Sequence, residues 1–163
     1  MKTEKKTVLA LGSNVGNRRE NLVRAVAEIE KFARVLSRSK IYETAPEGFE
    51  NQRDFLNAAL FCETHFDPAE LLKFCKETES LLGRTPNFKD GPREIDIDII
   101  FFEGENFESP NLQIPHPRWS SREFVISPLL DLVDARFSSI DFCCDVHERL
   151  KNTAKKFLPF SSF

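Results

Sequence analysis

The stretch Glu94-Ile-Asp-Ile-Asp-Ile-Ile100 constrains this chain more than any other. Residues two apart on a β-strand face the same way, so Ile95, Ile97 and Ile99 make one apolar face while Asp96 and Asp98 share the other. Side chains so placed are rooted roughly 7 Å apart, close enough for two carboxylates to share or bridge cations. Aspartate is rare in strands, and like charges on one face repel. The pattern therefore predicts a half-buried strand whose polar face meets something cationic. Oxygen-only ligands favour Mg²⁺, which keeps water in its shell and relies on substrate phosphates to complete it. The plainer alternative is a solvated outer sheet face.

The flanking sequence supplies the rest of a sheet. Residues 7–11 read as a short buried strand closed by Gly12. Asn17-Arg-Arg-Glu20 has the form of a capping box, and Leu22, Val26, Ile29 and Ala33 follow at helical spacing. Residues 35–42 read as a second strand, 44–53 as a loop with Pro and Gly, and 54–63 as a third strand. Asp67-Pro68 marks a helix start, with Leu71, Phe74, Thr78 and Leu81 along one face until Gly83. A polar loop over 84–92 leads into a fourth strand, 94–102, and weaker helical patterning returns over about 146–157. The order β-α-β-β-α-β predicts an α+β, ferredoxin-like sandwich with an antiparallel sheet and an extra C-terminal segment. At 163 residues, without repeat or linker, one domain over 1–163 is expected.

Composition narrows the function. Sixteen Phe against one Trp and one Tyr predict a Phe-built core, so a lone Phe is no site and Trp119 reads as a partly buried anchor. A net charge of −3 argues against a nucleic-acid footprint. Yet Arg84, Lys89, Arg93, Arg118 and Arg122 all fall in loop-like segments, a placement that suits a small polyanion. Cys62, Cys75, Cys143 and Cys144 lack C-x-x-C spacing, and the N-terminal residues lack the apolar run of a signal peptide or membrane span. A reducing cytoplasm, no membrane association and a monomer are expected. No G-x-x-x-x-G-K-[ST], H-R-D or D-F-G is present, which excludes the P-loop and protein-kinase phosphate cradles. Gly12-Ser-Asn-Val-Gly16 reads as a strand-to-helix turn or as a ligand contact.

Six blocks together resemble one family, 6-hydroxymethyl-7,8-dihydropterin pyrophosphokinase of folate synthesis. They are Leu11-Gly-Ser-Asn14, Tyr42-Glu-Thr-Ala-Pro46, Phe55-Leu-Asn-Ala58, Gly91-Pro-Arg-Glu-Ile-Asp-Ile-Asp98, Ile114-Pro-His-Pro-Arg118 and Arg122-Glu-Phe-Val125. The resemblance implies that Asp96 and Asp98 hold two Mg²⁺ ions between ATP and the pterin hydroxymethyl group. It implies that Arg84, Arg93, His116 and Arg122 contact the triphosphate, with Arg84 and Arg93 counted among the catalytic residues. Glu79 and Ile99 would help seat the nucleoside. Phe55 and Phe124 would sandwich the pterin, Asn57 would bind its edge, and groups near Thr44 and Glu47 would complete its recognition. Asp90 stands where that family carries an aromatic, with Phe88 or Lys89 available to take its place.

Physical chemistry favours the same roles, since phosphoryl transfer asks for positioning and charge neutralisation, and Arg matches phosphate geometry. Plainer readings exist at several positions. In a Phe-rich strand Phe55 reads as core, His116 as a loop histidine, Arg122 as a local cap or pair, and Lys76 as a solvated helix lysine. Residues 83–92 read as a lid, short of apolar anchors and carrying Arg84 and Lys89. The competing functions are a non-catalytic ferredoxin-like nucleotide or pterin binder, and an aldolase acting on a related pterin. The carboxylate pair disfavours the first, and the carboxylate–arginine set disfavours the second.

Overall fold

The fold is that of a computed structural model, which describes residues 2–151, 153 and 158–163. Five strands form one sheet: β1 (Lys5–Ser13), β2 (Arg34–Arg38), β3 (Tyr42–Thr44), β4 (Phe55–Thr64) and β5 (Asp96–Phe102). They lie in the order β2-β4-β1-β5, with β3 beside β4, and every pairing is antiparallel. Helices α1 (Arg18–Ile29) and α2 (Pro68–Leu81) cover one face, giving the ferredoxin-like sandwich that the element order predicts.

Local chemistry sets the helix starts. Asp67 accepts from the Glu70 N–H at 2.9 Å while Glu70 accepts from the Asp67 N–H at 3.0 Å, with Pro68 opening α2. These bonds satisfy donors that a helix start leaves open. At α1 only half of the expected box forms. Asn17 accepts from the Glu20 N–H, but Glu20 reaches back to the Asn17 side-chain amide instead of its backbone. The single strand expected over 35–42 is two, because Ser39 interrupts the ladder. Its Oγ accepts from the Ala59 N–H at 2.8 Å, and the next N–H, of Lys40, turns to Asp131.

The alternation of β5 sorts the two faces. Ile97 and Ile99 join Leu9, Leu11, Leu56, Leu60 and the α1 residues Leu22, Val26 and Ile29 in the helix-side core. Each such side chain contributes about 1.5–3 kcal/mol when fully buried. The register of β5 on β1 shifts between Val8 and Leu9, so Ile100 and Phe101 both enter the second core on the opposite face.

That second core is the Phe-built one. Phe101 packs on Trp119 at 5.0 Å and on Phe142 at 5.2 Å, and Phe137 packs on Phe61 at 5.6 Å. Its cover is the C-terminal part of the chain: α3 (Glu123–Leu132), α4 (Ala135–Ser138) and α5 (Val146–Lys151). A hairpin of β6 (Phe107–Ser109) and β7 (Leu112–Ile114), which sequence reasoning missed, connects β5 to this layer. Of the helical patterning expected over 146–157, α5 forms the part to Lys151, Thr153 is not helical, and residues 152 and 154–157 lie outside the described residues. The cover stops short of the other end of the sheet. There the second face is left open, and Asp96 and Asp98 point into the opening.

Candidate active site

The open end is a cavity of about 730 Å³. Its floor is the sheet: Ala10 and Gly12 of β1, Thr44 of β3, Phe55 and Asn57 of β4, and Asp96 and Asp98 of β5. Lys76 and Glu79 of α2 form one wall, residues 84–93 a second, and His116, Arg118, Arg122 and Phe124 a third. Gly12 keeps this floor uncrowded, since a Cβ there would lie 3.2 Å from Asn57 Oδ1, tight enough to press on that amide.

Asp96 is gripped from both sides. Arg84 Nη1 donates to Oδ1 at 2.7 Å and Arg93 Nη1 donates to Oδ2 at 2.7 Å. Burial opposes its ionisation, but Arg93 and Arg84 outweigh that, and its pKa is lowered. Asp98 is the converse. Among the described residues it has neither a hydrogen bond nor an ion pair, and burial, then the Asp96 charge, pushes its pKa up.

Glu79 is 3% exposed, and burial pushes its pKa up, opposed chiefly by Lys76. It accepts from the Ile97 N–H at 2.8 Å and sits 2.9 Å from Arg84 and 3.1 Å from Lys76. Arg84 is thus already paired in the ligand-free chain.

On the third wall, burial followed by Arg122 and Arg118 pushes His116 down to about 4. Its Nδ1 accepts from the Arg118 N–H at 3.2 Å, so the neutral ring carries its proton on Nε2. Glu47 places Oε1 3.4 Å from Arg122 Nε and 3.6 Å from Arg118 Nη1. Arg122 Nε is nonetheless misaligned for a hydrogen bond and is buried without one among the described residues. A carboxylate from the loop stands beside guanidinium groups that remain able to take another anion.

The structure brings together nearly every residue singled out from sequence. Thr44, Glu47, Phe55, Asn57, Glu79, Arg84, Arg93, Asp96, Asp98, His116, Arg122 and Phe124 all line this one cavity. Ile99 does not. It is 2% exposed and packs in the helix-side core, because the alternation that aims Asp98 into the cavity aims its neighbour away. Phe55 is the reverse correction to the plainer reading: it belongs to the cavity floor and to neither core. The Phe55 and Phe124 rings each carry a guanidinium, Arg93 at 5.7 Å and Arg122 at 5.3 Å. Lys76, Lys89 and Arg118 also reach the cavity. Among the described residues no group of three or more His, Cys, Asp or Glu could enclose a metal ion.

Residues 8–134 match the family described as 7,8-dihydro-6-hydroxymethylpterin-pyrophosphokinase (HPPK). The chain belongs to the HPPK family. It is 44% identical over 126 residues to a protein of Bacillus subtilis named 2-amino-4-hydroxy-6-hydroxymethyldihydropteridine pyrophosphokinase, covering 76% of this chain and 75% of that one. A protein of the same name from Aquifex aeolicus is 43% identical over 124 residues, covering 76% of this chain and 78% of that one. Among solved structures, the Plasmodium falciparum HPPK-DHPS wild type superposes with a TM-score of 0.60 at 17% identity. That likeness covers 79% of this chain but 41% of the longer one, and it shows the shared fold. No described helix is long and apolar enough to cross a membrane.

The departure from the HPPK pattern at Asp90 takes a definite form. Asp90 adopts a left-handed conformation, φ 60°, tolerated by few residues besides Gly, Asn and Asp. Gly48 lies against it, and a Cβ there would come within 2.7 Å of Asp90 Oδ2. Phe88 meets Phe49 edge to face at 5.0 Å, and both Phe88 and Lys89 line the cavity.

Proposed function

We propose that this HPPK-family chain transfers the pyrophosphoryl group of ATP to the hydroxymethyl oxygen of 6-hydroxymethyl-7,8-dihydropterin, releasing AMP, in folate synthesis. The observation that carries the proposal is one cavity with two unlike halves. One half is flat and aromatic with a buried amide, and the other is dense in arginine around paired carboxylates. A flat heteroaromatic ring suits Phe55 and Phe124. Asn57 donates to Thr44 Oγ1 at 2.7 Å, which holds its amide plane fixed for reading a donor–acceptor edge. Arg84, Arg93, Arg118 and Arg122 line the half that takes the triphosphate, with Lys76 beside them paired to Glu79 at 3.1 Å.

Asp96 and Asp98 fit Mg²⁺. Both offer oxygen only, Asp98 is an unpartnered carboxylate at the floor, and the scarcity of further protein ligands suits an ion completed by phosphates and water. Bound magnesium, expected as two ions, would neutralise phosphate charge and favour ionisation of the attacking hydroxyl. The chain's own part is to orient. Arg84 and Arg93 release Asp96 and turn to the phosphates, His116 stays neutral and can donate from Nε2, and the rings hold the hydroxymethyl group against the triphosphate. A non-catalytic binder is disfavoured by Asp98, because an unpaired carboxylate beside another destabilises a fold and helps no simple ligand contact.

We also propose a single domain acting as a cytoplasmic monomer on small molecules, with no nucleic acid or membrane partner. The four cysteines, all thiols here, suit that location. The test is to incubate the protein with ATP, Mg²⁺ and the hydroxymethyl dihydropterin. Pterin-dependent formation of AMP supports the proposal, and binding of both ligands without AMP supports the non-catalytic alternative.

A further inference from the structure

We propose that Arg18 and the segment 158–163 position the pterin half of the cavity from outside it: the segment straps the sheet edge where β3 begins, and Arg18 carries that hold to the strand ends that bear Thr44 and Phe55. The proposal rests on the functional reading above. Neither Arg18 nor the segment lines the cavity, and the segment lies beyond residues 8–134, which match the family.

The need for a strap arises where Ser39 breaks the ladder. β2 ends at Arg38 and β3 starts afresh at Tyr42 with three residues. Ile41 stands at this break, buried and outside the register of either strand with β4. A buried backbone N–H and C=O at a sheet edge must find partners. The segment supplies both. The Ile41 N–H donates to the Ser161 carbonyl at 2.7 Å, and the Ile41 carbonyl accepts from the Phe160 N–H at 2.7 Å and the Ser161 N–H at 3.3 Å. The result is an antiparallel bridge that extends the sheet by one residue. Side chains fasten it on either side. Arg19 donates to the Ser162 carbonyl at 3.1 Å, and Phe163 packs on the helix-side core with the Arg38 guanidinium 6.0 Å from its ring.

Arg18 joins the strap to the site. It opens α1, its side chain is 11% exposed, and its guanidinium lies 5.9 Å from the centre of the Phe160 ring. The same group places Nη1 2.6 Å from Glu43 Oε2 and donates to the Asp54 carbonyl at 2.9 Å. Glu43 precedes Thr44, Asp54 precedes Phe55, and Thr44 and Phe55 face each other across the ladder. One guanidinium thus pins the paired ends of β3 and β4. Thr44 in turn accepts from the Asn57 amide, so a shift of β3 tilts the group that reads the pterin edge. β3 is short enough to shift, since three residues pair with β4 and the strap holds the residue just before them. The metal-binding carboxylates stand on β5, which β4 and β1 separate from β3. Loss of the strap should therefore fall on the pterin and spare the nucleotide.

The test ends the chain at residue 157 and, separately, changes Arg18→Ala. Phe160→Ala is a milder companion that leaves the strap backbone and Phe163 in place, and Phe160→Tyr restores the ring. Calorimetry measures the affinity for 6-hydroxymethylpterin and for α,β-methylene-ATP with Mg²⁺. The shortened chain and Arg18→Ala should each bind the pterin at least about threefold more weakly, with nucleotide affinity within about twofold of normal. Phe160→Ala should weaken the pterin in the same direction, and Phe160→Tyr should return it to normal. The shortened chain carrying Arg18→Ala should lose less than the product of the two separate losses, because the strap acts partly through Arg18. A loss of pterin affinity below about threefold in both the shortened chain and Arg18→Ala, equal losses for both ligands, or losses that multiply in the combined variant overturn the strap's role and leave the functional reading standing. An unaltered protein that binds no pterin overturns the functional reading and the strap's role with it. Arg18→Ala and the Phe160 pair carry the measurement should the shortened chain not fold.

Discussion

Asp98 lies two residues beyond Asp96 on the same face of β5, and the two carboxylates live under opposite conditions. Asp96 has a guanidinium 2.7 Å from each oxygen, whereas Asp98 has no partner among the described residues. An arrangement that leaves one half-buried acid without a partner favours a bound state over the empty one.

Asp98→Asn should therefore separate activity from stability. Turnover is expected to fall at least about a hundredfold, while the ligand-free protein melts at the same temperature or higher, because an uncompensated charge is gone. Asp96→Asn should lose activity to a similar degree but melt lower, since it leaves Arg84 and Arg93 facing a neutral amide. Steady-state rates at low Mg²⁺ and thermal melts check both. Near-normal activity in either variant removes the metal assignment.

Phe124→Ala should weaken pterin binding by about 1 kcal/mol beyond the effect of lost burial, with a smaller effect on nucleotide. Phe55→Ala is an equally direct test, because the ring belongs to neither core. Calorimetric titration of each ligand reads the difference. Equal losses for both ligands would make these rings general packing.

The loop over 83–92 should close when both ligands are present. It borders the metal-bearing strand, and its apolar anchor is the exposed Phe88 against Phe49. Arg84 is held by Glu79 and Asp96, so trypsin should cut first after the exposed Lys89. An unreactive ATP analogue with Mg²⁺ and pterin should slow that cleavage at least about tenfold. The same cleavage rate with and without ligands would make the segment a fixed loop.

Glu63 should give the fold an acid-sensitive margin. Lys6, at 2.5 Å, and then Arg34 hold its pKa down at about 2. A carboxyl more acidic folded than unfolded adds stability that is complete above its ordinary pKa and is lost as the pH falls towards about 2. Glu63→Gln should thus lower the melting temperature by a few degrees at pH 7. The two proteins should converge as the pH approaches 2. A constant offset across that range would contradict the linkage.

Much of this was legible in the chain, and the exceptions have physical causes. The alternation over 94–100 placed both carboxylates on one face, and Asp67-Pro68 announced α2, because both signals are local. Ser39 broke a predicted strand by using its side chain in the ladder, an event that hydrophobic patterning does not register. Ile99, expected at the nucleotide, keeps its side chain in the helix-side core, because a strand residue next to one aimed into the cavity faces the other way. Phe55 read as core from composition alone, and only the resemblance placed it at a ligand. The bonds of Asn14 to Gln52 and to Arg93 were not legible, since they span 38 and 79 positions.

The most direct measurement follows the phosphorus atoms of ATP. With ATP labelled separately at the β and γ positions, Mg²⁺ and 6-hydroxymethyl-7,8-dihydropterin, both labels should arrive together on the pterin, one AMP appearing for each pterin diphosphate formed. Arrival of the γ label alone with ADP left behind, or release of AMP at the same rate without the pterin, would contradict pyrophosphoryl transfer.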